Sequence, residues 1–324
     1  MAAEIHVAFL NQSPVSGHYN FARFFHRVFF LFQFSICPQF DGVKLSAAEI
    51  RHAVRLALAE DIGSGDATTL ATVPANAMAK AVMRAREPLV VAGIGFAETA
   101  FRELSPKIKI EKLSHDGQRI AAGTTLLKIS GSARAILTAE RVALNFVQRL
   151  SGVATLTSNF VEAVRGTNVQ ILDTRKTTPG WRRFEKYAVA CGGGNNHRLG
   201  LFDMILIKDN HLVALQNEKP NSIAAAVARA RKKFPKLKVE VEADTLKQVE
   251  EAVNANADFI LLDNMDLKQL HQAVKILNGR AKTEASGGVN LNTVREIAET
   301  GVDFISVGAL THSAPAVDIG LDFK

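Results

Sequence analysis

The segment Leu237-Lys-Val-Glu-Val-Glu-Ala-Asp-Thr-Leu-Lys-Gln-Val-Glu-Glu-Ala-Val-Asn-Ala-Asn-Ala-Asp-Phe-Ile-Leu-Leu-Asp263 holds one complete unit of a repeating architecture. A short apolar strand, Leu237–Val241, is followed by a helical segment, Leu246–Ala255, and a second apolar strand, Phe259–Leu262. A parallel strand pair needs a crossover of about a dozen residues, and this connection supplies one. The unit recurs on both sides. Strand-like runs at Val169–Leu172, Ile205–Ile207, Thr283–Ala285 and Phe304–Val307 alternate with helical segments at Phe184–Ala190, Ile223–Phe234, Leu267–Leu277 and Leu291–Glu299. This alternation predicts a parallel sheet with right-handed crossovers, and both a barrel and a doubly wound sheet fit it. No Gly-x-Gly-x-x-Gly follows any of these strands, which weakens a dinucleotide-binding version.

Upstream the pattern differs. A long helix is predicted from Thr138, with Thr138 as its N-cap. Before it, Met78–Arg86, Leu89–Ala92, Ile108–Leu113 and Thr125–Ile129 read as strands around a helix at Phe96–Leu104. Asp116-Gly117 and Ala122-Gly123 are turn signals, so this part reads as a small α/β unit with a mostly antiparallel sheet. Ser46-Ala-Ala-Glu49 is a capping box that opens a helix running to about Glu60.

The composition sets outer limits. The chain has 324 residues, 47% of them hydrophobic, which excludes disorder as its dominant state. Two cysteines, Cys37 and Cys191, are too few for a disulfide framework and point to a reducing compartment, the cytoplasm. Nine of the 19 Phe lie in residues 1–44. Their uncharged run, Val28–Cys37, is half of the roughly 20 residues that a membrane-spanning helix needs. Residues 1–44 read as an extension outside the fold, with a targeting segment as the alternative. The net charge of +7 fits either a basic face for nucleic acid or a pocket for a small polyanion.

Position separates those two readings. Asp173, Arg175 and Lys176 follow the first strand of the repeat, and Lys208, Asp209 and His211 follow the second. Glu242 ends the third strand and Asp263 the fourth, while Ser286-Gly287-Gly288 and Gly308 follow the last two. In a parallel α/β barrel the C-terminal strand edge is where sites are built, and late Gly-rich turns there often hold phosphate. Glu242 and Asp263 are hard oxygen ligands suited to Mg²⁺. The implied ligand is a phosphate-bearing polyanion with a divalent cation. A second cluster, Arg175, Lys176, Arg182, Arg183, Lys186, His197 and Arg198, suits a dicarboxylate. Within it Arg182, Arg183 and Lys186 are expected at the periphery. Glu242 is expected to face inward and Glu240 outward. Arg149 reads as a solvated helix charge.

These residues sit in motifs that resemble a known family. The motifs are Glu140-Arg-Val-Ala-Leu-Asn-Phe-Val-Gln-Arg-Leu-Ser-Gly-Val-Ala-Thr155, Asp173-Thr-Arg-Lys-Thr-Thr-Pro-Gly180, Glu185-Lys-Tyr-Ala-Val189 and Gly192-Gly-Gly-Asn-Asn-His-Arg-Leu-Gly-Leu201. Ile207-Lys-Asp-Asn-His211, Val239-Glu-Val-Glu242, Leu261-Leu-Asp-Asn264 and Glu284-Ala-Ser-Gly-Gly288 complete the set. The chain resembles the quinolinate phosphoribosyltransferases over roughly residues 45–324. The resemblance implies an N-terminal α/β sandwich domain, residues 45–153, and an open, incomplete TIM-like α/β barrel, residues 154–310. Residues 311–324 would pack back on the first domain.

The resemblance also implies an activity. The family makes nicotinate mononucleotide, pyrophosphate and CO₂ from quinolinate and phosphoribosyl pyrophosphate, with Mg²⁺, as a step of NAD biosynthesis. Arg175, His197, Arg198 and Lys208 would hold the quinolinate carboxylates, and Arg141 would complete the site of a partner in a homodimer. Lys176, Glu242 and Asp263 would be catalytic. Lys176 would lie between the two substrates, while Glu242 and Asp263 would face the ribose and the magnesium. Lys208, Ser286, Gly287 and Gly308 would join them around phosphoribosyl pyrophosphate.

Three alternatives stay in view. A paralogous phosphoribosyltransferase would act on another pyridine or anionic acceptor. Lys208 alone could be the Schiff-base lysine of a barrel aldolase. A nucleic-acid-binding protein would need a basic stripe interleaved with exposed aromatics, and aromatics are few outside residues 1–44.

Overall fold

Polar punctuation starts the first described helix. In the computed structural model, which describes residues 42–324, Ser46 caps the helix Ala47–Ile62, and the reciprocal bonds between Ser46 and Glu49 close the capping box. Glu49 also pairs with Arg183, tying this first helix to the second half of the chain. The serine hydrogen bonds and the arginine hold its carboxyl down at about 2.

The strands, in chain order, are β1 (Met78–Ala85), β2 (Leu89–Val90), β3 (Lys109–Lys112), β4 (Arg119–Ile120), β5 (Thr125–Ser132), β6 (Gln170–Leu172), β7 (Ile205–Ile207), β8 (Val239–Ala243), β9 (Phe259–Asp263), β10 (Lys282–Ser286), β11 (Phe304–Ser306) and β12 (Ile319–Phe323). An antiparallel sheet of order β12-β1-β5-β3 forms the first part, and β2 and β4 make a separate short pair. The last strand of the chain thus returns to the edge of the first sheet, with Ala81 opposite Phe323 and Ala85 opposite Ile319.

One helix of 31 residues, Ala133–Ala163, joins the two parts. It starts earlier than the sequence suggested, with Ser132 as its cap. Thr138 lies inside it and donates instead to Asp66, 2.8 Å away. The apolar positions Ala133, Ala135, Ile136 and Ala139 are buried, and this continuous buried face carries the helix past the predicted start. Because the helix runs through residue 153, the passage between the two parts falls in mid-helix. An aromatic stack crosses the same junction. Phe96 stacks on Phe146 at 4.7 Å, and Phe146 stacks on Trp181 at 5.0 Å.

The second part is a six-stranded, all-parallel sheet of order β6-β11-β10-β9-β8-β7. Sequence neighbours are spatial neighbours except at one place. β6 and β7 are the two edges, and a single bridge, Leu172 to Asn195, is all that extends beyond β6. This is the order of a barrel that stays open between its first two strands. The fold is therefore mixed α/β, with no closed barrel.

Side chains two apart on a strand share a face, and this sorts the concave interior by depth. Leu172, Met204, Phe259 and Phe304 pack into an apolar floor distinct from the main core. Glu240 stands opposite Phe259 and Glu284 opposite Phe304 on neighbouring strands, and Glu242, Asp263 and Ser286 follow toward the C-terminal strand ends. Glu240 therefore faces inward together with Glu242, contrary to the sequence expectation. The two are separated by one full pleat period, so one cannot point out while the other points in. Among the described residues no helix is long and apolar enough to cross a membrane.

The return of the C-terminal segment depends on one small residue. A Cβ at Gly152, within the long helix, would lie 2.0 Å from the Pro315 carbonyl oxygen. Neither partner is a flexible side chain, so backbone must shift. Gly152→Ala is expected to lower unfolding stability by about 3 kcal/mol, the upper end of overpacking costs, read from the urea midpoint.

Candidate active site

The C-terminal ends of the parallel strands surround a pocket of about 560 Å³. Arg175, Lys176, His197, Arg198, Lys208, Glu242, Asp263, Ser286 and Gly287 all line it, joined by Asn264, Gly288 and Ser306. Gly308 sits at its edge, where a Cβ would lie 3.1 Å from Lys176 Cδ. Arg141 does not line this pocket. It lies on an exposed position of the long helix.

The first strand end carries Arg175 and Lys176 on a loop held from several sides. Arg182 donates to Thr177 Oγ1 at 3.1 Å and to the Leu199 carbonyl at 3.2 Å, and Thr311 Oγ1 donates to the Lys176 carbonyl at 2.7 Å. Arg182 thus supports the site from behind. Arg175 Nε is buried and has no hydrogen-bond partner among the described residues. A buried guanidinium nitrogen without an acceptor costs free energy that an anionic ligand would recover.

Below this loop Lys186 is fully buried, not peripheral. It forms an ion pair with Asp173 and donates to the His197 carbonyl at 2.9 Å. Burial pushes the Asp173 carboxyl up and the Lys186 ammonium down, and each charge offsets the other's loss. Asp173 also accepts from Asn196 Nδ2 at 2.7 Å and from the His197 backbone N–H at 2.8 Å. Together these fix the turn that presents His197 and Arg198. Arg149 is likewise structural. It bonds Glu185 at 3.0 Å and the Ala314 and Thr311 carbonyls.

The His197 ring points down rather than across. Nε2 lies 3.0 Å from Glu240 Oε2 and 3.3 Å from Glu284 Oε2, while Nδ1 accepts the Arg198 backbone N–H at 2.8 Å. Burial disfavours charge on the ring, while the Glu284 and Glu240 carboxylates favour it. Because Nδ1 accepts the Arg198 N–H, the ring is the neutral form with its proton on Nε2, facing the carboxylates. Burial, with the neighbouring Glu284 charge, pushes Glu240 up to about 7. Sequence reasoning missed Glu240 and Glu284 as parts of the site. The signal that could have found them was their position two residues before Glu242 and Ser286.

At the rim Lys208 Nζ lies 2.6 Å from Glu242 Oε2. Burial raises Asp263, aided by the Asp244 charge and opposed by Lys208, Asn264 and Lys176. Asn264 donates from Nδ2 to Asp263 at 2.7 Å, and its backbone N–H bonds the Ser286 carbonyl at 2.9 Å. Glu242 and Asp263 offer two carboxylates on one pocket wall but no three-ligand cage. That donor set fits Mg²⁺, which keeps waters and shares substrate phosphates. Three-donor clustering among the described residues occurs only at His197, Glu240 and Glu284, of which His197 and Glu284 line the pocket.

The glycine turn after β10 is tight by necessity. Gly287 has φ +96°, and a Cβ there would stand 2.1 Å from Asn264 Oδ1 and 2.9 Å from its backbone N. Gly287→Ala is expected to raise the KM for the phosphate-bearing substrate by more than about tenfold, with kcat less affected, because backbone strain of about 1–3 kcal/mol falls on the turn itself. Steady-state kinetics alongside a thermal melt separate this from general unfolding.

Known proteins are similar to this chain in sequence and fold. Residues 66–151 match the N-terminal domain, and residues 153–322 the C-terminal domain, of the family described as quinolinate phosphoribosyl transferase. A carboxylating nicotinate-nucleotide pyrophosphorylase from Mycobacterium leprae (strain TN) is 45% identical over 278 residues, covering 84% of this chain and 96% of that protein. A chloroplastic protein of the same description from Arabidopsis thaliana is 43% identical over 289 residues, covering 84% of this chain and 82% of its own. The solved structure of a nicotinate-nucleotide pyrophosphorylase from Francisella tularensis superposes with a TM-score of 0.83 at 40% identity, over 88% of this chain and all of that one.

Proposed function

This chain belongs to the quinolinate phosphoribosyltransferase family, and from that premise we propose that it joins quinolinate to phosphoribosyl pyrophosphate in NAD biosynthesis, releasing pyrophosphate and CO₂. The observation that carries the reading is the pocket itself. Four cations, Arg175, Lys176, Arg198 and Lys208, converge with the carboxylates of Glu242, Asp263 and Glu284 and a glycine turn in one pocket. Cations and a turn suit two polyanionic substrates, and Glu242 and Asp263 suit a metal and a cationic sugar.

The chemistry follows from these groups. The C1–O bond of the sugar pyrophosphate breaks with its electron pair on the departing pyrophosphate. Positive charge builds on the ribose and negative charge on the leaving group. Lys176 and Lys208 meet the negative charge, and Glu242 and Asp263 tolerate the oxocarbenium. Mg²⁺, held by Glu242 and Asp263 with waters, would supply further charge for the pyrophosphate. The pyridine nitrogen bonds to C1 and becomes cationic. The bond from C2 to its carboxylate then breaks, CO₂ leaves, and C2 takes a proton. Arg175 and Arg198 hold the carboxylates through these steps, and no side-chain nucleophile is required.

We place Arg141 in the site of a second copy within a homodimer. Its exposed position on the long helix, outside its own pocket, supports that reading. The cytoplasm is the compartment proposed. Calorimetry tests acceptor choice directly. Quinolinate is expected to bind the full-length protein, with nicotinate at least about tenfold weaker, since it lacks one carboxylate and leaves a guanidinium unpaired. Equal or tighter binding of nicotinate would contradict the assignment and favour a related phosphoribosyltransferase with another acceptor.

A further inference from the structure

The pocket rests on an unexpected buried polar cluster. Glu240, Glu284 and His197 have exposures of 0%, 1% and 7%; Glu240 and Glu284 stand opposite Phe259 and Phe304 on neighbouring strands, and His197 and Glu284 line the pocket wall. Burying two carboxylates and an imidazole costs several kcal/mol, and well-packed apolar residues of the same volume are often neutral or stabilising. Stability does not account for this cluster.

Its geometry has one direction. Glu240 stands on β8 two residues before Glu242, and Glu284 on β10 two residues before Ser286. Both carboxylates reach Nε2 of His197, at 3.0 and 3.3 Å. With Nε2 held there, Nδ1 is the ring's other polar atom, and it accepts the Arg198 backbone N–H at 2.8 Å. The backbone of Arg198 is thereby fixed at the point where its side chain enters the pocket, with Nη1 anchored on the Met204 carbonyl at 3.2 Å. The chain of contacts runs from the two glutamates through the imidazole to an arginine that faces the acceptor.

We propose that Glu240 and Glu284 are positioning residues that act through His197 on Arg198, setting affinity for the acceptor dicarboxylate and not for phosphoribosyl pyrophosphate. This rests on the reading of the pocket as a quinolinate site. Reach, not charge, is what the arrangement demands of the glutamates.

Two substitutions separate these properties. Glu240→Gln keeps an oxygen acceptor at full reach and loses the charge. Glu240→Asp keeps the charge and shortens the reach by one methylene. The expected result is a quinolinate KM within about threefold of wild type for Glu240→Gln and raised about tenfold for Glu240→Asp, since displacement on the ångström scale has effects of this order. The KM for phosphoribosyl pyrophosphate and kcat should hardly move in either. The reverse order, Asp tolerated and Gln impaired, would overturn the proposal, as would equal rises in both KM values. Nitrogen-15 NMR of the histidine rings in the full-length protein gives a readout independent of turnover. His197 should carry its proton on Nε2 in wild type and Glu240→Gln, and lose that signature in Glu240→Asp. A wild-type ring protonated on Nδ1 would overturn the positioning geometry even if the protein turned over no quinolinate at all. An intact signature without quinolinate turnover would instead count against the assignment of the pocket.

Discussion

Arg175→Ala should lower kcat/KM for quinolinate by about 10²–10³-fold. Truncating one partner of a desolvated charge pair costs about 2–5 kcal/mol, and each 1.4 kcal/mol is about tenfold. Among the described residues, Nε of Arg175 is left without an acceptor. The loss should fall mainly on quinolinate KM where the arginine grips ground state and transition state alike, and on kcat where it grips the departing carboxylate. Arg175→Lys should recover little, because an ammonium cannot present a fork to a planar carboxylate. The fold should survive, since the loop is held by Arg182 and Thr311 rather than by Arg175 side-chain bonds. Steady-state kinetics with a thermal melt of the same variants check all three statements.

A second large effect concerns subunits. Lys208→Ala removes a pocket cation, and Arg141→Ala removes a cation that the pocket of its own chain does not contain. In the proposed homodimer, each variant by itself is expected to keep less than about 1% of activity, the size of effect seen when one electrostatic stabiliser is lost. Mixed after dissociation, the two should regain about a quarter of wild-type activity. Random pairing in a two-fold dimer makes half of the dimers mixed, and one of the two sites in each is then intact. No recovery, with mixed dimers verified by tagged subunits, would show that Arg141 serves no shared site.

Much of this site was readable before any fold was known. Residues that end short apolar strands in a repeating α/β pattern must gather at one edge, so Lys176, Lys208, Glu242 and Asp263 were legible from spacing alone. Arg141 was not, because a helix charge carries no periodic signal, and only family motifs singled it out. Glu240 was misread through its pleat. Residues two apart share a face, so Glu240 belongs to the interior with Glu242. Lys186 was misjudged because lysine is almost always exposed unless paired, and its partner Asp173 lies on another element, beyond the reach of local pattern. The early start of the long helix has a similar origin. A side-chain hydroxyl that fits an N-cap, Thr138, found Asp66 instead, and the buried apolar face extended the helix back to Ser132. Tertiary partners, invisible to a local pattern, decided each of these cases.

The central claim is that one pocket couples phosphoribosyl transfer to loss of a carboxylate. The most direct measurement follows quinolinate labelled with ¹³C in its 2-carboxylate, incubated with the protein, phosphoribosyl pyrophosphate and Mg²⁺. Labelled CO₂ and nicotinate mononucleotide should appear together in equal amounts, and neither should form when phosphoribosyl pyrophosphate is withheld. Nucleotide formation from nicotinate but not from quinolinate, or nucleotide product that keeps the label, would contradict the account.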